Sequence, residues 1–200
     1  QTFGQDKIIL MEHNTDIFGQ SMDISHSANT QPPVRLRSPE TAQHATDVRD
    51  DLFMPELYRY TFPELVATNR ECGEDEESYK AMAGFSFLYG LRFDMTIYRC
   101  CGSLRDIPRY AAYLKEISAL YEQYGDFLLR GRFVDGDGFT SDSENVLVKG
   151  WEGCNGGLAV SLWNPTGEDQ VVNLRSRKTG RAVTIIVPAE RVAAAVIDEA

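Results

Sequence analysis

A chain of 200 residues with 20 Lys and Arg against 30 Asp and Glu carries a formal charge of −10. That balance repels phosphate backbones and anionic lipid, so nucleic acid and membrane surfaces are excluded as partners. With 42% hydrophobic and 25% charged residues it has the composition of an ordinary globular chain, long enough for one large domain or two small ones. No apolar run approaches the ~20 residues of a membrane span.

Four cysteines, Cys72, Cys100, Cys101 and Cys154, show no CxxC spacing, and they are expected to be buried free thiols. His13, His26 and His44 lack HExxH or HxH spacing, so no metal site is expected, and no organic cofactor is implied. The chain opens Gln1-Thr2-Phe3-Gly4 with neither an initiator Met nor a signal-peptide pattern, and is expected to be a piece of a longer protein.

In chain order, Ile8-Ile9-Leu10-Met11 is continuously apolar and empties into Glu12-His13-Asn14-Thr15-Asp16, the pattern of a strand buried on both faces in a parallel sheet. Residues 25–50 are rich in Ser, Asn and Pro and read as an extended loop with a short helix near residues 40–48. The second apolar stretch, Leu57-Tyr58-Arg59-Tyr60, reads as a strand halted by Pro63. Asp75-Glu76-Glu77 opens a helix that runs to about Tyr89 and is closed by Gly90.

A third strand covers residues 91–98, and residues 105–124 form the longest helix, with Tyr110, Tyr113, Leu114, Ile117 and Tyr121 on one stripe. After residue 126 come short apolar runs separated by turn signals such as Asp135-Gly136-Asp137-Gly138 and Asn164-Pro165-Thr166-Gly167, which predict an antiparallel β-sandwich.

Arg59-Tyr60-Thr61-Phe62-Pro63-Glu64, then Tyr124-Gly125-Asp126-Phe127-Leu128-Leu129-Arg130-Gly131-Arg132-Phe133, then Leu162-Trp163-Asn164-Pro165-Thr166-Gly167 give the chain a family likeness. It resembles the C-terminal part of a TIM-barrel glycoside hydrolase of the α-galactosidase-like clan, in particular uncharacterised bacterial relatives with an Arg-Tyr-x-Phe-Pro-Glu segment. The resemblance implies an α/β fold: residues 1–126 as the last part of a (β/α)8 barrel, with strands six to eight at 7–12, 57–60 and 91–97, and residues 127–200 as a C-terminal antiparallel β-sandwich. It also implies a portion of a carbohydrate-active enzyme that cleaves O-glycosyl bonds. In the clan the nucleophile ends a fourth strand that this chain lacks, so the portion is expected to be incomplete alone.

Barrel sites gather at the carboxyl ends of strands, where this scheme puts Glu12, Asp16, Arg59 and Glu64. Glycosidic cleavage commonly uses two carboxyl groups flanking the bond. Asp16 is the favoured acid/base, since the resemblance places an aspartate in that loop, and Glu12 is a substrate partner or the alternative acid; both could instead merely cap or solvate the loop. Arg59 offers a planar fork for paired hydroxyls, or pairs with Glu64 or Asp94. Asp23 could reach a sugar hydroxyl or serve as a turn or N-cap residue. Tyr60, with Tyr58, Phe62 and Trp151, is an aromatic of the kind on which sugar faces stack, although most such rings are core; Trp151 and Trp163 suit packing between two sheets.

Asp135-Gly136-Asp137-Gly138 suggests calcium, but position 12 from Asp135 is Val146, so a plain turn is expected. Gly153-Cys154-Asn155-Gly156-Gly157 reads as a hairpin turn. The other function class is a non-catalytic carbohydrate-binding or accessory protein, which predicts an exposed row of aromatics on the β-module. The partner is a carbohydrate in either case. Open parallel edges call for a missing N-terminal half or a homo-oligomer.

Overall fold

The computed structural model describes residues 7–11, 21–26, 55–73, 79–97 and 101–199. Glu12, Asp16 and the expected helix near residues 40–48 lie outside them.

Four strands, β1 (Leu10–Met11), β2 (Ile24–Ser25), β3 (Val66–Gly73) and β4 (Arg92–Ile97), form one sheet in the order β1-β2-β3-β4, every neighbouring pair parallel. The later strands form two antiparallel sheets. One has the order β10-β9-β6, from β10 (Ala182–Val187), β9 (Gln170–Ser176) and β6 (Phe139–Ser141). The other has the order β11-β8-β7-β5, from β11 (Val192–Asp198), β8 (Leu158–Trp163), β7 (Leu147–Glu152) and β5 (Arg132–Asp135).

The expected partial barrel followed by a sandwich is therefore corrected. The described residues form a four-stranded parallel sheet without barrel closure, joined to two antiparallel sheets, and the strand set of the first half differs from the predicted one. Residues 57–60 are not a strand but lie in helix α1 (Pro55–Thr61). Pro55 has the fixed φ that suits the first helical position, and Glu56 stands in the first turn, where the helix dipole favours a carboxylate. Burial follows the helical period, with Pro55 and Arg59 buried and Leu57 and Tyr60 exposed. Tyr58 and Phe62, four residues apart, hold their rings 5.4 Å from each other.

The strand comes later, at β3, after a turn at residues 63 and 64. A further strand, β2, stands at the start of the expected loop with only Ser25 inside it; two paired residues leave no periodicity to mark them. Nor is the first apolar run buried on both faces: it lies at the sheet edge, with Ile8 73% and Leu10 52% exposed.

Helix α2 (Tyr79–Leu88) ends as predicted at Gly90, whose φ is +61°. Gly90 N donates to Phe87 O at 3.0 Å and Leu91 N to Ser86 O at 2.8 Å, the paired closure of a Schellman end. Helix α3 (Pro108–Leu128) follows a short 3-10 turn, Leu104–Asp106. Tyr110, Tyr113 and Ile117 of its predicted stripe are buried. The helix runs to Leu128, so Phe127 and Leu128 are helical and β5 starts only at Arg132.

One apolar cluster runs through both halves of the chain. Phe85, Phe87 and Leu88 of α2 and Tyr110, Tyr113 and Ile117 of α3 pack with Phe133, Trp151, Trp163 and Val192 of the β11-β8-β7-β5 sheet. Trp151 and Trp163 are thus core, but they belong to the cluster with the helices and not to the one between sheets, which is built from Phe139, Val160, Leu162, Val172, Leu174 and Ile197. The helices come this close because Gly84 has no side chain: a Cβ there would stand 2.3 Å from Trp163 Nε1. Beside it, Trp151 Nε1 donates to Ser161 Oγ at 2.9 Å, and Ser161 Oγ donates to Leu88 O at 2.8 Å. One hydroxyl so satisfies both an indole and a carbonyl in the last turn of α2.

Candidate functional site

The carboxyl ends of parallel strands are where open α/β sheets place ligands. Here β1 and β2 are joined at that end by His26. Its backbone N–H donates to Met11 O at 2.7 Å, and its ring hydrogen-bonds through Nε2 to Oδ2 of Asp94. Asp94 lies on β4, so a residue just past β2 reaches across β3 and ties three strands together. The His26 side chain is 13% exposed and that of Asp94 32%.

An ionised carboxylate only accepts, so in this contact Nε2 carries the N–H that donates to Asp94. The pair therefore holds an imidazole in a fixed orientation at this end of the sheet. At the opposite end of the strands, Asp23 stitches the backbone: its carboxylate accepts from Ile9 N at 2.8 Å and its carbonyl accepts from Val66 N at 3.3 Å.

Of the sequence-predicted site residues, Asp23, Arg59, Tyr60 and Glu64 are among the described ones, and Asp23, Arg59 and Glu64 lie toward the amino ends of β2 and β3 rather than the carboxyl ends. Arg59 and Glu64 both precede β3, at its amino end, because the strand that was to deliver them is helix α1. Arg59 is 6% exposed, donates from Nη1 to Leu65 O at 3.3 Å, and lies with its guanidinium 5.3 Å from the centre of the Trp151 ring. Burial lowers its pKa, and the pairing with Glu64 or Asp94 is not formed. Glu64 is exposed in the turn. Tyr60 is half exposed and sets its ring edge-on to Phe133 at 5.3 Å. Asp23 faces solvent near β2. Glu12 directly follows Met11 in the chain, next to the carbonyl that His26 holds, but Glu12 and Asp16 lie outside the described residues.

A second polar group joins α1 to the antiparallel sheet. Lys149 Nζ lies 2.8 Å from Glu56 Oε1 and 2.6 Å from Asp135 Oδ1, the Tyr89 hydroxyl donates to the same Glu56 oxygen, and Lys149 lies 5.4 Å from the centre of the Tyr89 ring. Burial pushes the Glu56 carboxyl up, but hydrogen bonds from Lys149 and Tyr89 outweigh it and hold Glu56 below its ordinary value. Burial pulls Lys149 down, and its bonds to Asp135 and Glu56 outweigh that, so its pKa is raised. Burial, followed by the Glu56 hydrogen bond, drives the Tyr89 phenol up. Every charge here has an opposite neighbour, so the group fixes α1 in place and keeps no proton available at neutral pH.

Asp135 and residues 136–138 form the turn after β5, with Asp137 N donating to Val134 O at 3.0 Å. Cys101 and Cys154 are exposed, contrary to the expected burial of the thiols; Cys154 Sγ lies 3.0 Å from Arg130 O in the turn after β7. Sequence spacing missed the His26 and Asp94 pair, which are 68 residues apart. The available signal is Asp94 itself, a carboxylate in the middle of an otherwise ordinary strand. Set against family models, curated proteins and solved structures, the chain matches none.

Proposed function

We propose that the chain is a portion of a carbohydrate-active hydrolase that cleaves O-glycosyl bonds, with Asp16 as general acid/base and Glu12 as its partner or alternative. The observation that carries this reading is the His26 junction. It supplies an oriented imidazole at the carboxyl end of parallel strands, bonded to the carbonyl immediately before Glu12. A carboxylic acid on the segment that follows β1 gives its proton to the leaving oxygen, and the His26 ring and backbone fix the strand end from which that segment departs.

The test is release of nitrophenol from a panel of p-nitrophenyl α- and β-glycosides by the full-length protein. Hydrolysis of at least one, reduced by about 10²-fold or more in Asp16→Asn as expected for loss of an acid/base and unchanged in Glu64→Gln, supports the reading. Absence of cleavage across the panel, or full activity in both Asp16→Asn and Glu12→Gln, overturns it. The accessory reading in its aromatic-row form is disfavoured, since Phe133, Phe139, Trp151 and Trp163 are all buried.

A further inference from the structure

The antiparallel half has a cleft of about 210 Å³ where the β5 edge, the turn between β7 and β8, the turn between β9 and β10 and the end of β11 meet. We propose that this cleft binds a neutral, hydroxyl-rich ring of monosaccharide size. The inference does not rest on the hydrolase reading.

The cleft's charges narrow the ligand class. Asp137, Glu152, Asp198, Arg132 and Lys178 line the cleft, with Arg132 and Glu152 paired to each other on neighbouring strands. Three carboxylates against two cations disfavour an anion, and among the described residues no group of three acidic, His or Cys side chains could hold a metal ion. What suits a wall that offers both donors and acceptors is a neutral molecule whose groups both give and receive hydrogen bonds. Hydroxyls do so: a carboxylate accepts from a vicinal pair, and a guanidinium donates to one. Val134 and Leu158 add an apolar wall, which takes the C–H side of such a ring. The volume is below the ~300–1,000 Å³ of sites for drug-sized ligands, which fits one ring better than an extended chain.

The acceptors are held in place before any ligand arrives. Asp198 is 6% exposed, and its two carboxylate oxygens accept from the hydroxyls of Ser176 and Thr179. Each oxygen keeps acceptor capacity, since an ionised carboxylate offers about four lone-pair sites. Glu152 is oriented by Arg132, whose Nε donates to it at 3.0 Å from the neighbouring strand. Gly156 and Gly157 leave the remaining wall as bare backbone, whose amides report on a ligand directly.

The experiment is a ¹⁵N-resolved NMR titration of the full chain with the methyl glycosides of galactose, glucose, mannose and fucose, with inorganic phosphate and calcium chloride as comparison probes. Saturable shifts of the Gly138, Gly156, Gly157 and Lys178 amides with at least one sugar are expected, with affinity falling about tenfold in Glu152→Gln or Asp137→Asn, the loss of one charge-assisted hydrogen bond. Wild-type melting of those variants shows that the loss is local. Shifts with phosphate or calcium and none with any sugar overturn the proposal, as do sugar shifts unchanged in both variants. Glycoside hydrolysis is followed in parallel: an Asp137→Asn protein that loses the amide shifts upholds this site whether or not any glycoside is cleaved, and shifts confined to His26 and its neighbours refute this site alone.

Discussion

Lys149 shows how one side chain can decide a boundary between elements. With its two carboxylate partners at 2.8 and 2.6 Å, it offsets the desolvation of Glu56 and Asp135, which are 29% and 32% exposed. Lys149→Ala leaves both acids half-buried and unpaired, and is expected to cost about 2 kcal/mol at neutral pH, between the values for exposed and fully buried pairs. The pH dependence follows from the signs. In the native protein Glu56 is held below its ordinary value, so its share of stability is present above the carboxylate range and is lost as pH falls through the lowered pKa. Lys149 is held above its ordinary value, so its share is intact below that value and lost only in strong alkali. In the variant the Lys149 hydrogen bond and charge no longer offset burial, so the Glu56 pKa moves up from its native position and protonation relieves part of the penalty. The gap between native and variant, read from urea unfolding at a series of pH values, should therefore narrow as pH falls toward the carboxylate range. Ser161→Ala behaves differently. It orphans the Trp151 N–H and the Leu88 carbonyl, at an expected cost of about 2–4 kcal/mol, with no pH dependence of its own, measured by the same unfolding series.

At the scale of elements, α2 lies hard against β8. A Cβ on Gly84 would meet Trp163 Nε1 at 2.3 Å and two ring carbons at 2.5 and 2.6 Å. Gly84→Ala gains up to about 1 kcal/mol of helix propensity and must still push a buried indole or the helix aside. Overpacking of this kind should win, with a net loss of about 2 kcal/mol, read as a lowered melting temperature and a changed near-ultraviolet circular dichroism of Trp163. The same contact marks what a sequence can and cannot disclose. Gly90 as helix stop, β4, and the Tyr110, Tyr113 and Ile117 stripe of α3 were legible, because each is written in local periodicity or a single conformational demand. Helix α1 was not, because residues 57–60, four of mixed character, fit both a strand and one turn of helix, and Pro55 decides for the helix. The strand Val66–Gly73 carries Asn69, Arg70 and Glu71 in its middle, where the sequence of a buried parallel strand should be apolar, and so hides itself. The site divides in the same way: Glu12 and Asp16 stand out as acids after an apolar run, whereas His26 and Asp94 meet only through a strand placed between them.

For the whole molecule, the consequence of the shared core is that the antiparallel half does not stand alone. Phe133, Trp151 and Trp163 are nearly or completely buried in the intact chain, and their packing partners include Phe87, Leu88, Tyr110 and Ile117. Cutting the chain after α3 uncovers one face of the β11-β8-β7-β5 sheet, while the cluster of Phe139, Val160, Leu162, Val172 and Leu174 between the two sheets survives. Exposing three large aromatics outweighs what a small module can recover, since removing one such partner surface costs about 1.5–3 kcal/mol per large side chain against total stabilities of only ~5–15 kcal/mol. A fragment of residues 129–200 should therefore keep strand signal in far-ultraviolet circular dichroism, show tryptophan emission shifted to the red of the intact protein, bind the dye ANS, and unfold without a sharp transition. A fragment that melts cooperatively with blue-shifted tryptophan emission would mean that the two tryptophans find cover within the antiparallel sheets alone, and that the helices α2 and α3 lean on a domain already complete.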